Sequence, residues 1–445
     1  MMRKVSLVLA CLVCGRQGHQ MRTVEFDARS GPAGDKRKVV RNFLADVASH
    51  ADSLGRQHAM HRLTPLDRVA LLLLSTRNLA AAFDVSSAAC SPILGLHPLV
   101  FRAQHRIAPG AKHSTARRTV SVIASELAFP AASRYEWRGH SCSFVKAGQG
   151  PPVLLLHGFA GSAYNCWRST LPALAATHTV YALDFLGLGA SDQPADVEYS
   201  IDLWREQCTD LIREEMSEAP IVIGHSFGSL VALEVAREFA AKGKPVRAVG
   251  MMNCGVGMNN KNALKVEDWR REQQEKGMEV EDAAPAWQLA IFGGILSGVD
   301  FIFNQQWLLM KILDEFATAD NVRGALQSSV YINPERVTDD LVEDYLSLAK
   351  NKKAAVEVLR QIYTNDGGPL PFPAVSKLPD DFPILTVWGN QDNLAPITGP
   401  VGKFFRKRSQ QVPASRFEEV NAGHVPQDDI PEFTNSILKE WLATV

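Results

Sequence analysis

The stretch IVIGHSFGSLVALEVA, residues 221–236, constrains the fold more than any other part of the chain. Ile221, Val222 and Ile223 read as a short buried strand bounded by a glycine. Phe227, Val231, Val235 and Phe239 recur every four residues, which is one face of a helix. Almost nothing is left for a loop, so the strand must turn straight into the helix, with Ser226 at the corner in a strained backbone conformation. Gly224 and Gly228 flank it because a Cβ at either place would collide with the neighbouring turn. Such a corner lifts the Ser226 hydroxyl clear of the sheet and leaves the next amide, that of Phe227, at a helix N-terminus. A corner with an incidental serine satisfies the same spacing, so the rest of the chain has to decide.

From Tyr135 onward strand and helix patterns alternate. A hairpin is expected around Gly139-His140, strands at 153–156, 179–183, 221–223, 246–252 and 384–387, and helices at 164–176 (broken only by Pro172), 201–216 and 227–241. Repeated β-α units predict a mostly parallel sheet with helices on both faces. Residues 256–376 break the rhythm: they are helix-rich, carry Trp269, Trp287 and Trp307, and fall between two sheet strands. They read as a cap, inserted before the acid-bearing strand, over the C-terminal sheet edge where ligands of such folds bind.

A serine nucleophile needs a base, and the base an orienting acid. PILTVWGNQDNLAP, from Pro383, carries a buried strand to Asp392, and EEVNAGHVPQDDIPEF, from Glu418, places His424 in a loop after the last predicted strand. Both would arrive at the same sheet edge as Ser226. In LLLHGFAGS, 154–162, a strand ends at His157-Gly158-Phe159, and the Phe159 amide could join that of Phe227 in receiving an oxyanion. Singly, Asp392 is a loop cap, His424 a surface histidine and His157-Gly158 a turn; together, in order and each at a strand end, they read as a triad of Ser226, Asp392 and His424. Asn253 takes an alternative acid position out of play, and His225 reads as a neighbour of the corner rather than a second base. No metal or cofactor is expected.

Charge is split along the chain. Through Arg118 there are 18 Lys and Arg against 7 Asp and Glu, and from Thr119 onward 29 against 41. The acidic body has no basic stripe, which argues against nucleic-acid binding. The seven cysteines are scattered, and Cys11-Leu-Val-Cys14 has no second pair, so neither a disulfide framework nor a metal site is indicated. Arg3 and Lys4 before the apolar run 5–13, followed by an Arg/Ala/Ser-rich, acid-poor stretch, read as targeting sequence over residues 1–130, ahead of a domain over 131–445. The competing reading is a folded extension, with residues 66–83 as a helix.

LLLHGF, DFLGLGASDQP, GHSFGS, WGNQD and AGHVPQDDIPE together resemble the α/β-hydrolase superfamily. Residues 137–145, 199–207, 321–331 and 399–405 are further similar to plastid hydrolases of the pheophytinase and chlorophyll dephytylase group, over about 134–445 and including the cap. Two places depart from that group. Gly-His-Ser-Phe-Gly-Ser stands for Gly-Asn-Ser-Leu-Gly-Gly at the corner, and Asn393-Leu394 replaces Pro-Trp after the acid. The resemblance implies a serine hydrolase acting on a carboxylic ester of a lipophilic substrate, such as a phytyl ester of a chlorophyll-type pigment. Epoxide hydrolases and dehalogenases of this fold use an aspartate nucleophile, which Ser226 disfavours. The leader and transit-like stretch resemble bipartite plastid presequences, with mitochondrial or secretory targeting as alternatives. Alternatives for the activity are a C–C bond hydrolase, an acyltransferase or a non-catalytic small-ligand binder. Within the cap, Phe292, Phe301, Phe303 and Trp307 are expected either to pack internally or to line an entrance for a long apolar chain. No obligate protein partner is evident, and peripheral membrane association is compatible with this composition.

Overall fold

The computed structural model describes residues 129–445 apart from 279, 281 and 282, so the expectations for the targeting segment and for residues 66–83 lie outside it. Strands β1 (Ala132–Trp137) and β2 (His140–Ala147) form a hairpin. Its turn is Arg138-Gly139, one residue earlier than expected, because both residues adopt positive φ (52° and 80°) and Trp137 pairs directly with His140. Next come β3 (Pro152–Leu156), helices α1 (Ala163–Trp167) and α2 (Thr170–Leu174), β4 (Thr179–Leu183), α3 (Ile201–Glu215), β5 (Ile221–His225), α4 (Phe227–Ala241) and β6 (Ala248–Met252). The single helix expected over 164–176 is thus two short ones, separated at Arg168-Ser169 just before Pro172. Helices α5 (Asn262–Glu275), α6 (Ala286–Phe303), α7 (Gln306–Phe316), α8 (Ala319–Ser329), α9 (Asp339–Ser347), α10 (Lys352–Thr364) and α11 (Pro371–Val375) lie between β6 and β7 (Ile384–Gly389). The chain ends with α12 (Pro400–Gln411), β8 (Ser415–Val420), α13 (Pro426–Asp429) and α14 (Pro431–Leu442).

The eight strands make one sheet in the order β1-β2-β4-β3-β5-β6-β7-β8. Only β1 and β2 run antiparallel to their neighbours; from β4 to β8 every pairing is parallel. Side chains alternate along each central strand, and both faces are buried. Leu154, Leu156, Val222, Val249 and Met251 feed one core; Val153, Leu155, Ile221, Ile223 and Ala248 feed the other. This is why the central strands read as continuous apolar runs rather than alternating ones.

The corner after β5 is tighter than the sequence pattern implied. The strand runs through His225, so Ser226 alone separates it from α4, with φ 54° and ψ −126°. A Cβ on Gly224 would lie 2.2 Å from the Gly228 carbonyl oxygen, and one on Gly228 would lie 2.3 Å from that of His157 in the chain following β3. Both contacts are to backbone, which has nowhere to go. Gly228→Ala should therefore push α4 off β3 and destabilise the domain by about 3 kcal/mol or more. Urea unfolding at neutral pH measures it; a change within about 0.5 kcal/mol would refute the packing argument.

Candidate active site

Ser226 is half-buried at the corner, and the backbone aims its neighbours. Its amide donates to the Met252 carbonyl (2.9 Å), and its carbonyl accepts from the amides of Ser229 (3.0 Å) and Gly255 (3.1 Å). In a trans peptide the N–H points opposite to the preceding C=O. Tying down the Ser226 carbonyl therefore turns the Phe227 N–H to the other side, where it meets no protein acceptor among the described residues. The Gly158-Phe159 peptide is held in the same manner: the Gly158 carbonyl accepts from Gly161 N (3.0 Å) and from His157 Nδ1 (2.8 Å). The Phe159 N–H is likewise left without a protein acceptor. Gly158 sits against the corner, since a Cβ there would lie 2.9 Å from that of Ser226.

His424 Nδ1 donates to Asp392 Oδ2 at 2.7 Å, which leaves Nε2 as the free nitrogen of the ring. Ser226 Oγ and His424 Nε2 are not hydrogen-bonded to each other in this structure; such contacts commonly tighten only with substrate present. His225 brings the two neighbourhoods together. Its Nε2 donates to the His424 carbonyl (2.8 Å), and the two rings pack edge-on with centroids 4.8 Å apart. Burial pushes the Asp392 carboxyl up, but the His424 ring, the Ala395 amide and Asn253 outweigh it, so the group ends below its ordinary range. It is built to stay ionised and to stabilise an imidazolium.

Three residues do more than the sequence suggested. Asn253, at φ 44°, donates to Asp392 Oδ2 (2.6 Å) and accepts from Gly389 N (3.1 Å), so it orients the acid instead of standing idle. Asp428 and Asp429 fasten the histidine loop to the cap. Asp429 accepts from the amides of Gly423 (2.8 Å), Ile332 (3.1 Å) and Asn333 (3.0 Å), while the His424 amide donates to the Val330 carbonyl at 2.7 Å. Asp428 accepts from Arg168, Ser169, Tyr331 and Arg336. The doubled carboxylate a few residues beyond His424 was visible in the sequence; its partners were not.

The four cap aromatics do not form one wall. Phe292 and Phe303 are buried, whereas Phe301 and Trp307 are each 69% exposed and face solvent. An α-helix turns about 100° per residue, so Phe301 and Phe303 cannot share a face. Closer to Ser226, Phe159 is 40% exposed and meets Tyr363 of α10 edge-on (6.0 Å), which in turn stacks on Phe303 (4.1 Å). Among the described residues no cluster of three or more His, Cys, Asp or Glu is placed to hold a metal ion.

The family model for the alpha/beta hydrolase fold matches residues 151–431, well over half of the chain, and the protein belongs to that family. Curated relatives match over shorter stretches. They include 2-hydroxymuconate semialdehyde hydrolase of Pseudomonas sp. (strain CF600), 35% identical over 92 residues (20% of this chain, 32% of that protein). Bifunctional epoxide hydrolase 2 of Sus scrofa is 36% identical over 127 residues (28% and 22%), and pimeloyl-[acyl-carrier protein] methyl ester esterase of Aeromonas hydrophila 35% over 96 residues (22% and 36%). The chain thus spans about a third or less of the length of these relatives. Among solved structures, a putative lipase from Acinetobacter baumannii AYE superposes with TM-score 0.51 at 18% identity, covering 71% of this chain and 92% of that one. The epoxide hydrolase CorEH superposes with TM-score 0.50 at 20% identity, covering 71% and 99%. At these identities the likeness is one of fold.

Two predictions follow from this geometry. Asn253→Gly, which keeps the positive φ but removes the donor to Asp392, should lower kcat about tenfold to a hundredfold with little change in KM, because a hydrogen bond to a charged group is worth about 1.5–3 kcal/mol. An unchanged kcat would mean that Asp392 needs no help from Asn253. The second concerns acid stability. Burial holds His157 down to about 4, and burial together with the His424 charge holds His225 down to about 3. Both stay neutral in the fold: the His157 ring donates from Nδ1 and accepts the Phe185 amide at Nε2 (3.1 Å). The unfolded chain therefore binds these protons first. Their stability contribution is complete above about pH 6.5 and is lost as pH falls, by about 1.4 kcal/mol per group per pH unit. Urea midpoints should drop steeply between pH 6 and 4.5, and His157→Gln should flatten that slope by about one proton.

Proposed function

We propose that this protein is a serine hydrolase that cleaves a carboxylic ester through an acyl-enzyme. One observation carries the reading: the Asp392–His424 pair, joined at 2.7 Å, is tied through His225 to the very corner that presents Ser226. In this mechanism His424 Nε2 takes the proton of Ser226 as its oxygen attacks the ester carbonyl carbon. The carbonyl oxygen becomes an anion, which the Phe159 and Phe227 amides receive, donors of this kind being worth about 3 kcal/mol each. The C–O bond to the alcohol then breaks, and the leaving oxygen takes the proton from Nε2. Water, deprotonated by the same nitrogen, releases the acid and restores Ser226. Asp392 holds the ring and balances the imidazolium throughout.

The substrate proposed is lipophilic, with a phytyl ester of a chlorophyll-type pigment as the specific candidate. It is supported by the motif similarity to the pheophytinase group and by the Phe159, Tyr363 and Phe303 rings leading away from the serine. A plastid location and a hydrolase domain over 131–445 belong to the same proposal and rest on the composition of the first 130 residues. Ring opening of epoxides by a carboxylate would need an acid at the corner, where this chain has Ser226. C–C bond hydrolysis is the second reading, favoured by the match to 2-hydroxymuconate semialdehyde hydrolase and compatible with the same three residues.

A fluorophosphonate probe should label the wild type and not Ser226→Ala, and ester hydrolysis should fall at least about a thousandfold in that variant. Equal labelling of both proteins would remove Ser226 as nucleophile. Turnover of a vinylogous 1,5-diketone with none of a phytyl or long-chain ester would move the assignment to the second reading.

A further inference from the structure

Helix α6 has the composition of a buried helix and the exposure of a surface one. Over Ala286–Phe303 its only ionisable side chain is Asp300, which is paired with Lys261 at 3.1 Å. By length and apolar content it could cross a membrane, yet it is anchored along one side only. Phe303 packs with Leu309 of α7 and Val356 of α10, while Phe292 and Leu296 are also buried. The opposite side is open. Trp287 (54% exposed), Ile291 (50%) and Phe301 recur at helical spacing along it, with Gly294 and Gly298 between them and, apart from the helix's own backbone, no atom within 4 Å of where their Cβ atoms would be. Trp307, at the start of α7, is a further large ring left exposed just beyond the end of the helix.

We propose that this face seats the protein on the surface of a lipid bilayer, so that a lipophilic ester reaches Ser226 without crossing water; the second half of that statement rests on the esterase reading above. Two observations favour lipid as the occupant. The stripe of Trp287, Ile291, Gly294, Gly298 and Phe301 carries no charged side chain, and the helix that bears it is apolar enough to lie in hydrocarbon. Tryptophans stand at or just beyond both ends, the residue type that settles at the boundary between headgroups and hydrocarbon. The inner, buried side of the same helix leads towards Ser226. Phe303, on that side, stacks on Tyr363, and Tyr363 meets Phe159 beside the corner serine, which makes a chain of rings from the inner side of α6 to the site. Because α6 stays packed on α7 and α10, it would lie in the interface plane rather than span it.

The test is flotation of the full chain with neutral phosphatidylcholine vesicles, comparing wild type, Trp287→Ser/Ile291→Ser and Ser226→Ala. Wild type and Ser226→Ala should float equally, with little change when salt is raised from about 0.05 M to about 0.5 M, because the face is uncharged. The double variant should bind at least about tenfold more weakly. It should also hydrolyse a short water-soluble ester at the wild-type rate while losing activity on a long-chain ester held in vesicles. Wild type that stays in solution, or a double variant that floats like wild type, overturns the proposal. So does a lipid-free dimer that the double substitution dissociates, since a second copy would then cover the face. Flotation that depends on Trp287 and Ile291, with no ester cleaved by any form, would keep the docking surface and remove the esterase reading instead.

Discussion

The direct handover from β5 to α4 is the constraint on which the site depends. With a single residue between strand and helix, Ser226 cannot relax from its positive φ, and the helix must lie close enough that Gly228 touches the backbone after β3. That close approach fixes everything around the serine. It brings the His157-Gly158-Phe159 segment against the corner, fixes the direction of two amides, and carries His225 to the carbonyl of His424. Strain at the corner persists because the core on both faces of the sheet over-determines it.

The cap is joined to the catalytic edge by charge as well as by apolar contact. Asp428 is fully buried, a placement that by itself would push its carboxyl up, but Arg168, Ser169 and Arg336 reverse the effect and hold it below its ordinary range. Removing one partner from such a cluster leaves a buried charge uncompensated, which is far more costly than the cluster is stabilising. Asp429 and the Val330 carbonyl then extend the connection to the Gly423 and His424 amides. The loop that bears His424 is thus gripped from the cap side, and the cap and His424 cannot shift independently.

Helix α6 shows the opposite economy. Its inner side completes a small core with α7 and α10, and its outer side exposes large rings that ordinary surface helices replace with charged residues. A composition suited to two apolar environments is explained when the second environment lies outside the chain.

Much of this was legible locally. The βα rhythm, the strand-serine-helix corner, the order of Ser226, Asp392 and His424, and the cap inserted before β7 all follow from periodicity and from glycines with no room for a Cβ. These are properties of neighbouring residues, and backbone sterics decide them. What only the tertiary structure decided lies in contacts between distant residues. Asn253 and Asp392 are 139 positions apart, His225 and His424 199, and Arg168 and Asp428 260, and no periodicity announces which polar group will face which. The same holds for the cap aromatics. An all-round apolar helix has no preferred face in sequence, so its docking in the cap, with Phe303 against α7 and α10, chose to bury Phe292 and Phe303 and to leave Phe301 in the open.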